Sequence, residues 1–385
     1  MADHSSDQAE TQNPMDYDKE SVMKKTLVIS AVNIVEAGTL TILRNAIDSG
    51  VANLGKEWRI IALVNSKDLI KNSIIRIIEF PKAKRMWIIR LAYEWVIFNL
   101  LSKELKPDLW LSLHDITPIV RSRRQAVYCH NPSPFYRLTF REALEEPKFL
   151  LFNLFYSKLY ALGIKKNAYV IVQQEWLREE FKKRYSLNSV IVAHPDIRKE
   201  SYKSADTCAS VPMFIYPAFP RIFKNFEAIC EATIILHSEG YHDFNVLLTI
   251  SGDETSYSKR IYKMYSKVCA IQFVGRQTSG DLTVLYKQSK AVIFPSKLET
   301  WGLPITEAIA FKKIILAANL PYAYETVGEY GDVAYFDPQN PKALAELMQS
   351  VIENRWVPKP APFVKPSEPF AEGWADLWPL LTKDL

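Results

Sequence analysis

Between Thr26 and Ala317 the chain alternates short β-branched runs with helical stretches, and it does so in two separate series. In the first series strands are expected at Thr26–Val32, Trp58–Val64, Ile74–Phe80, Leu109–Leu113, Ala126–Cys129, Tyr169–Val172 and Val190–Ala193. Helices are expected between them at Thr39–Ser49, Met86–Leu105, Phe149–Leu162 and Trp176–Tyr185. Strands that are apolar on both faces belong in a parallel sheet covered by helices. A polar segment at 198–210 interrupts the pattern, which restarts at Met213 with strands Met213–Tyr216, Val246–Ile250, Ile271–Val274, Ala291–Phe294 and Ile314–Ala317. The helices expected here are Glu227–His237, Leu282–Gln288 and Glu307–Phe311. Two consecutive doubly wound domains, with ligand at the carboxyl ends of the strands, is the economical solution.

A length of 385 residues accommodates two such domains. The expected division is an acidic, disordered tail or expression scar at 1–22, a first domain at 23–197, a linker at 198–210 and a second domain at 211–355. Residues 356–385 then supply a proline-rich connection and a helix at Phe370–Leu381. The tail holds six acids and one base, so the overall charge of +5 hides a body of +10. A body that basic suits an anionic partner such as a nucleoside diphosphate, a lipid phosphate surface or nucleic acid. Cys129, Cys208, Cys230 and Cys269 form no C-x-x-C pair, which points to neither a disulfide framework nor a zinc site and fits a reducing cytoplasm. The longest apolar run, Met86–Leu101, contains Arg90 and Glu94 and is too short and too charged to span a bilayer.

The chemistry concentrates in Phe294-Pro-Ser-Lys-Leu-Glu-Thr-Trp-Gly-Leu-Pro-Ile-Thr-Glu-Ala308. A buried strand ends at Phe294, Gly302 permits a tight turn, and Pro304 suits a first helical position. Glu307 is expected in the first helical turn, near Glu299, with both facing the cleft. The open N–H groups of the helix start offer a phosphate cradle. Two carboxylates beside it either accept hydroxyl protons from a sugar and a ribose, or Glu307 merely complements the helix dipole.

The pair Glu299 and Glu307 resembles the E-x7-E motif of retaining glycosyltransferase family 4, a GT-B fold. Also similar, and in the same order, are Ile250-Ser-Gly-Asp253, Phe273-Val-Gly275, Leu282–Tyr286, Ala318-Asn-Leu-Pro-Tyr-Ala-Tyr-Glu325, Gly328-Glu-Tyr-Gly-Asp332 and Tyr335-Phe-Asp-Pro338. The match covers most of residues 212–338, whereas the first half matches only loosely. The resemblance implies two Rossmann-like domains facing a central cleft, with the C-terminal helix crossing back to the first. It implies that Glu299 contacts the donor sugar and Glu307 the ribose. Thr300, Gly302, Leu303 and Gly275 are the accompanying donor contacts.

In Tyr216-Pro-Ala-Phe-Pro-Arg-Ile-Phe-Lys-Asn225, Lys224 matches the lysine that the family places on the diphosphate. The family's arginine lies five residues earlier, where this chain has Phe219, so Arg221 is the substitute candidate. Two cations offset the charge on a leaving diphosphate, so no metal is expected for that task. Gly38, in Val35-Glu-Ala-Gly-Thr-Leu40, resembles the family's glycine-rich loop with one glycine replaced by Ala37. His130, at the end of a strand, matches a histidine that touches the donor sugar, and His114-Asp115 is a further candidate for the acceptor cleft. Asp16-Tyr-Asp18 is a chance D-x-D in a tail with no preceding strand.

The resulting expectation is a metal-independent, retaining GT-B hexosyltransferase. It needs no cofactor beyond its nucleoside-diphosphate-sugar co-substrate and adds one sugar to a lipid-linked glycan of a bacterial surface polysaccharide. With no enzymic nucleophile apparent, retention implies front-face attack with the leaving diphosphate taking the acceptor proton. No nucleic-acid partner is expected. Lys82–Arg90 and Lys148–Lys158 combine bases with aromatic and aliphatic residues; they suit the inner face of the cytoplasmic membrane, the alternative being packing on their own sheet. The rival functions are a GT-B disaccharide-phosphate synthase or phosphorylase, and a non-catalytic basic adaptor on membrane or nucleic acid.

Overall fold

A computed structural model describes residues 24–35, 37–84, 86–196 and 211–385. The acidic tail, the 198–210 linker, Glu36 and Arg85 lie outside the described residues.

The first sheet has eight parallel strands: β1 (Lys25–Ala31), β2 (Trp58–Val64), β3 (Arg76–Glu79), β4 (Leu109–Ser112), β5 (Arg124–Tyr128), β6 (Tyr169–Val172), β7 (Val190–His194) and, from the end of the chain, β14 (Phe370–Glu372). Their order is β14-β7-β6-β5-β4-β1-β2-β3. The second sheet contains β8 (Met213–Tyr216), β9 (Asn245–Leu248), β10 (Ile271–Phe273), β11 (Ala291–Phe294), β12 (Ile314–Ala318) and β13 (Val333–Phe336), in the order β10-β9-β8-β11-β12-β13. The winding direction reverses between β1 and β4 in the first sheet, and between β8 and β11 in the second. Crevices form at such reversals because the connections on either side depart in opposite directions.

Helices cover both sheets. In the first domain they are α1 (Ala37–Leu54), α2 (Trp87–Ala92), α3 (Phe98–Leu105), α4 (Phe140–Glu145), α5 (Pro147–Ala161) and α6 (Glu175–Tyr185). In the second they are α7 (Phe226–Ser238), α8 (Ser256–Tyr265), α9 (Ser279–Gln288), α10 (Leu303–Ala310), α11 (Pro321–Val327) and α12 (Pro341–Ile352), and the chain ends in α13 (Trp374–Thr382). The single helix expected at Met86–Leu105 is instead interrupted by a π-turn at Tyr93–Ile97, which turns Glu94 inward to complete burial.

The C-terminal helix crosses back. Trp374, Leu377, Trp378 and Leu381 enter the same core as Leu43, Ala46 and Ile47 of α1. Arg124 fastens it by donating to the carbonyls of Leu381 and Lys383 at 2.8 and 2.6 Å. The expected helix Phe370–Leu381 is corrected at its start. Phe370–Glu372 form β14, pairing in parallel with Val192–His194, because the proline-rich approach delivers the chain already extended along the sheet edge.

Candidate active site

The loops after β8 and β11 meet at the reversal of the second sheet. Asn225 adopts a left-handed conformation (φ 57°), and its side-chain amide donates to the carbonyls of Pro295 at 3.2 Å and Pro338 at 2.8 Å. Tyr216 Oη donates to the Lys224 carbonyl at 2.9 Å. These bonds bring Lys224 to the second loop, where its Nζ pairs with Glu299 Oε1. The ammonium also lies 5.8 Å from the centroids of Phe223 and Phe294, over their faces.

The loop carrying Glu299 and Thr300 is held from several sides. Tyr322 Oη donates to the Ser296 carbonyl at 2.6 Å, Ser296 Oγ to the Leu298 carbonyl at 3.0 Å, and Thr326 Oγ1 to the Trp301 carbonyl. The chain then turns at Gly302 (φ 88°), where a Cβ would lie 3.3 Å from the Phe294 ring, so glycine answers both a conformational and a spatial demand. α10 starts at Leu303, which makes Pro304 its second residue and moves Glu307 beyond the first turn where the sequence put it. The expected phosphate cradle is correspondingly narrow. Pro304 has no N–H, and the Ile305 N–H is bonded to the Gly302 carbonyl at 2.9 Å.

Glu307 is held separately from Glu299. Its Oε2 accepts from Tyr286 Oη at 2.6 Å, and the Tyr286 ring stacks on Phe311 at 5.1 Å. Burial raises the Glu307 carboxyl above its ordinary range, and the Tyr286 hydrogen bond opposes that rise. Gly275 (φ 69°) follows β10 and donates its N–H to the Ile250 carbonyl at 3.2 Å.

The first domain supplies the facing wall. Gly38, in the first turn of α1, approaches Leu303 so closely that a Cβ there would lie 3.1 Å from Leu303 Cδ1. The starts of α1 and α10 therefore oppose each other across the cleft. His130 follows β5, stacks on Tyr128 at 4.5 Å, and donates its backbone N–H to Asp115. Burial lowers its pKa and favours neutral imidazole, and Nε2 is shielded from solvent with no hydrogen-bond partner among the described residues. Asp115 (φ 71°) gathers the N–H groups of His130 and Asn131 with the hydroxyls of Tyr156 and Tyr160, at 2.5, 3.1, 3.1 and 2.9 Å. Asp115 thus braces the loop that bears His130, whereas His114 bonds to Ser30 and Arg90.

The sequence reading put Arg221 beside Lys224 on the diphosphate, and its carbonyl accepts the Lys224 N–H at 2.8 Å, one loop away from Glu299. Its guanidinium covers the Phe219 ring at 5.1 Å and lines a cavity whose walls include neither of them. Sequence reasoning missed Tyr286 and the interdomain contacts. Glu325 of α11 accepts from His194 Nε2 at 2.8 Å and from the Glu175 N–H at 2.9 Å. Gln174 donates to the Tyr322 carbonyl at 3.0 Å and to Thr326 Oγ1 at 2.8 Å. His194 also packs on Trp301 at 4.5 Å, which ties this interdomain contact to the loop of Glu299. The signal available in the sequence was positional: His194 ends β7, and Tyr286 lies one β–α unit before Glu307.

Residues 215–366 match the family model described as glycosyl transferases group 1. The O-antigen chain mannosyltransferase RfbU of Salmonella typhimurium is 20% identical over 265 residues, covering 68% of each chain. O-antigen chain mannosyltransferase B of Escherichia coli is 27% identical over 135 residues, 34% of this chain and 35% of the relative. Among solved structures, sucrose-phosphate synthase from Thermosynechococcus elongatus superposes with a TM-score of 0.63 at 14% identity, over 86% of this chain and 90% of that one, a likeness of fold.

Proposed function

Because the chain is a GT-B glycosyltransferase whose second domain belongs to group 1, we propose that it moves one sugar, with retention, from a nucleoside-diphosphate sugar to a lipid-linked glycan of a bacterial surface polysaccharide. The observation that carries this reading is the meeting of Lys224 and Glu299 at the sheet reversal, with Glu307 on the next helix and Gly38 opposite. In this reading Lys224 takes the diphosphate, Glu299 the sugar hydroxyls and Glu307 the ribose. Thr300, Gly302, Leu303 and Gly275 shape the donor pocket around them, and the unpartnered Nε2 of His130 meets a sugar hydroxyl.

Mechanistically, the protein's contribution is electrostatic and positional. Lys224 offsets the charge that grows on the departing diphosphate, and Glu299 fixes the sugar ring. The acceptor hydroxyl attacks the face from which the diphosphate leaves. A diphosphate oxygen takes the hydroxyl proton as the new glycosidic bond forms, so configuration is kept. The surface-polysaccharide acceptor is suggested by the O-antigen mannosyltransferase relatives. Among the described residues no helix is long and apolar enough to cross a membrane.

The test is a thermal-shift screen of UDP-, GDP-, ADP- and dTDP-sugars, followed by NMR of the product anomer. A raised melting point with one donor class and a retained anomeric configuration are expected. No shift with any donor, or an inverted product, refutes the reading.

A further inference from the structure

A cavity of about 670 Å³ lies between the domains beside the donor site. Phe149, Phe152 and Tyr156 of α5 form one wall, and the stretch from Pro220 to Phe223 forms another with Tyr257 at the start of α8. Asn131 and Ser133 of the loop after β5 also line it. The spacing 149, 152 and 156 puts three aromatic rings on one helical face, and Phe149 approaches Phe223 across the domain boundary at 5.8 Å.

The cavity borders the donor site twice, because Asn131 follows His130 and Phe223 precedes Lys224. A sugar hydroxyl held here lies next to the donor. Flat aromatic faces interleaved with Asn131, Ser133, Thr255 and Ser256 suit a pyranose, which has an apolar face and a polar rim. The charge is more informative. Lys148 from the first domain and Arg221 from the second both line the cavity, and neither has a carboxylate partner among the described residues. The one acid in the lining, Glu146, accepts from Ser256 Oγ at 3.0 Å. Two cations, one from each domain, outnumber that single carboxylate and form an anion site that is complete only when the domains face each other.

We propose that this cavity is the acceptor subsite, and that its acceptor carries a phosphate or diphosphate directly on the sugar it holds, recognised by Lys148 and Arg221 together. The inference rests on the donor reading above. It also gives Arg221 a task on the acceptor in place of the donor diphosphate.

Calorimetry distinguishes the possibilities, using three probes of one sugar: the methyl glycoside, the 1-phosphate and a short-chain prenyl diphosphate conjugate. A panel of mannose, galactose and N-acetylglucosamine supplies the sugar. The phosphorylated probes should bind at least tenfold more tightly than the glycoside at low salt, and Lys148→Ala or Arg221→Ala should each remove most of that preference. Phe152→Ala should weaken all three probes alike. A further gain for the prenyl conjugate over the 1-phosphate assigns part of the recognition to lipid; equal affinities assign it to phosphate alone, and both outcomes support an anionic acceptor. Equal binding of glycoside and phosphate overturns the proposal, as does a preference that survives the Lys148→Ala/Arg221→Ala double variant. Loss of nucleoside-diphosphate affinity in Arg221→Ala, with acceptor binding intact, returns that residue to the donor and overturns its assignment here. If no nucleoside diphosphate binds the unaltered protein, the donor reading fails instead.

Discussion

Lys224 and Glu299, 75 residues apart in sequence, form an ion pair in which both side chains are largely shielded from solvent. Each neutralises the other, so the proposed diphosphate would have to compete with Glu299 for the ammonium. Glu299→Gln removes that competitor while nearly preserving shape. Affinity for a bare nucleoside diphosphate should rise a few-fold, whereas turnover with the sugar nucleotide should fall by at least a hundredfold. Calorimetry with the diphosphate and steady-state rates test the two halves. A matched loss in both merges the roles assigned to the two residues.

Tyr286 donates to Glu307, so in the proposed donor site it would act on the nucleotide only through that carboxylate. Glu307→Ala should weaken nucleoside binding roughly 10- to 150-fold, corresponding to about 1.5–3 kcal/mol for a charge-assisted contact. Tyr286→Phe should weaken it by roughly 3- to 10-fold, as expected for loss of a supporting hydrogen bond. The pH dependence separates positioning from general damage. Burial already raises the Glu307 carboxyl, and Tyr286 counteracts that rise. Without the phenol the carboxyl takes up a proton at higher pH, so loss of affinity on acidification should begin earlier in Tyr286→Phe than in the unaltered protein. Identical pH profiles remove Tyr286 from this role.

How much of this was legible without coordinates follows from what each feature depends on. The alternation of β-branched runs carried the two parallel sheets, because strands buried on both faces have few other ways to satisfy their backbone. The spacing of Glu299 and Glu307 carried the proposed donor site, since both lie within one β–α connection. The partners were hidden because they are non-local. Glu307 meets Tyr286 of α9, Glu325 meets His194 across 131 residues, and Asp115 holds His130 through backbone N–H groups available to any residue type. The course of the Arg221 side chain was hidden too, because proximity to Lys224 in sequence does not fix the direction of a long side chain, which here lies over the Phe219 ring.

Glu94 gives the fold a pH signature independent of ligand. It is fully buried on the π-turn, 3.1 Å from His114 Nδ1 and 3.8 Å from Arg90 Nε, and Ser30 Oγ lies 3.0 Å from His114 Nε2. Burial pushes the Glu94 carboxyl up to about 8 against the opposing charge of Arg90. Burial and Arg90 hold His114 well below its ordinary range. A carboxyl that binds its proton more tightly folded than unfolded loses stability as pH rises from its ordinary value, 4.5, towards 8. Glu94→Gln imitates the protonated acid in charge and shape. The variant should match the unaltered protein in melting temperature at about pH 5 and exceed it by several degrees above about pH 8. A difference independent of pH shows that Glu94 is charged throughout.

The last expectation concerns the face that would meet a membrane, and the structure changes which residues form it. Arg90, counted from sequence among the interfacial bases, is buried against the His114 carbonyl at 2.7 Å. Arg85 lies outside the described residues. What remains is largely apolar: Met86, Trp87 and Ile88 at the start of α2 are exposed, as are Leu151, Leu154 and Phe155 of α5. The rings of Trp87 and Phe155 are 5.8 Å apart, which makes the two helices one surface. Lys82 and Lys158 are exposed on the two segments that form it. Aliphatic side chains there suit the acyl boundary and lysines the phosphates, each lysine contributing about 1 kcal/mol near an anionic surface. The protein should therefore co-sediment with anionic vesicles, weakly with neutral ones, and be released in part by salt. Ile88→Asp with Leu154→Asp should abolish binding at every salt concentration, whereas Lys82→Glu with Lys158→Glu should abolish it only above low salt. Activity on a soluble acceptor should persist in both double variants, since none of the four residues lines the interdomain cavity. Vesicle binding unaffected by the two aspartates removes this face from the membrane and leaves its aliphatic residues as unpartnered surface.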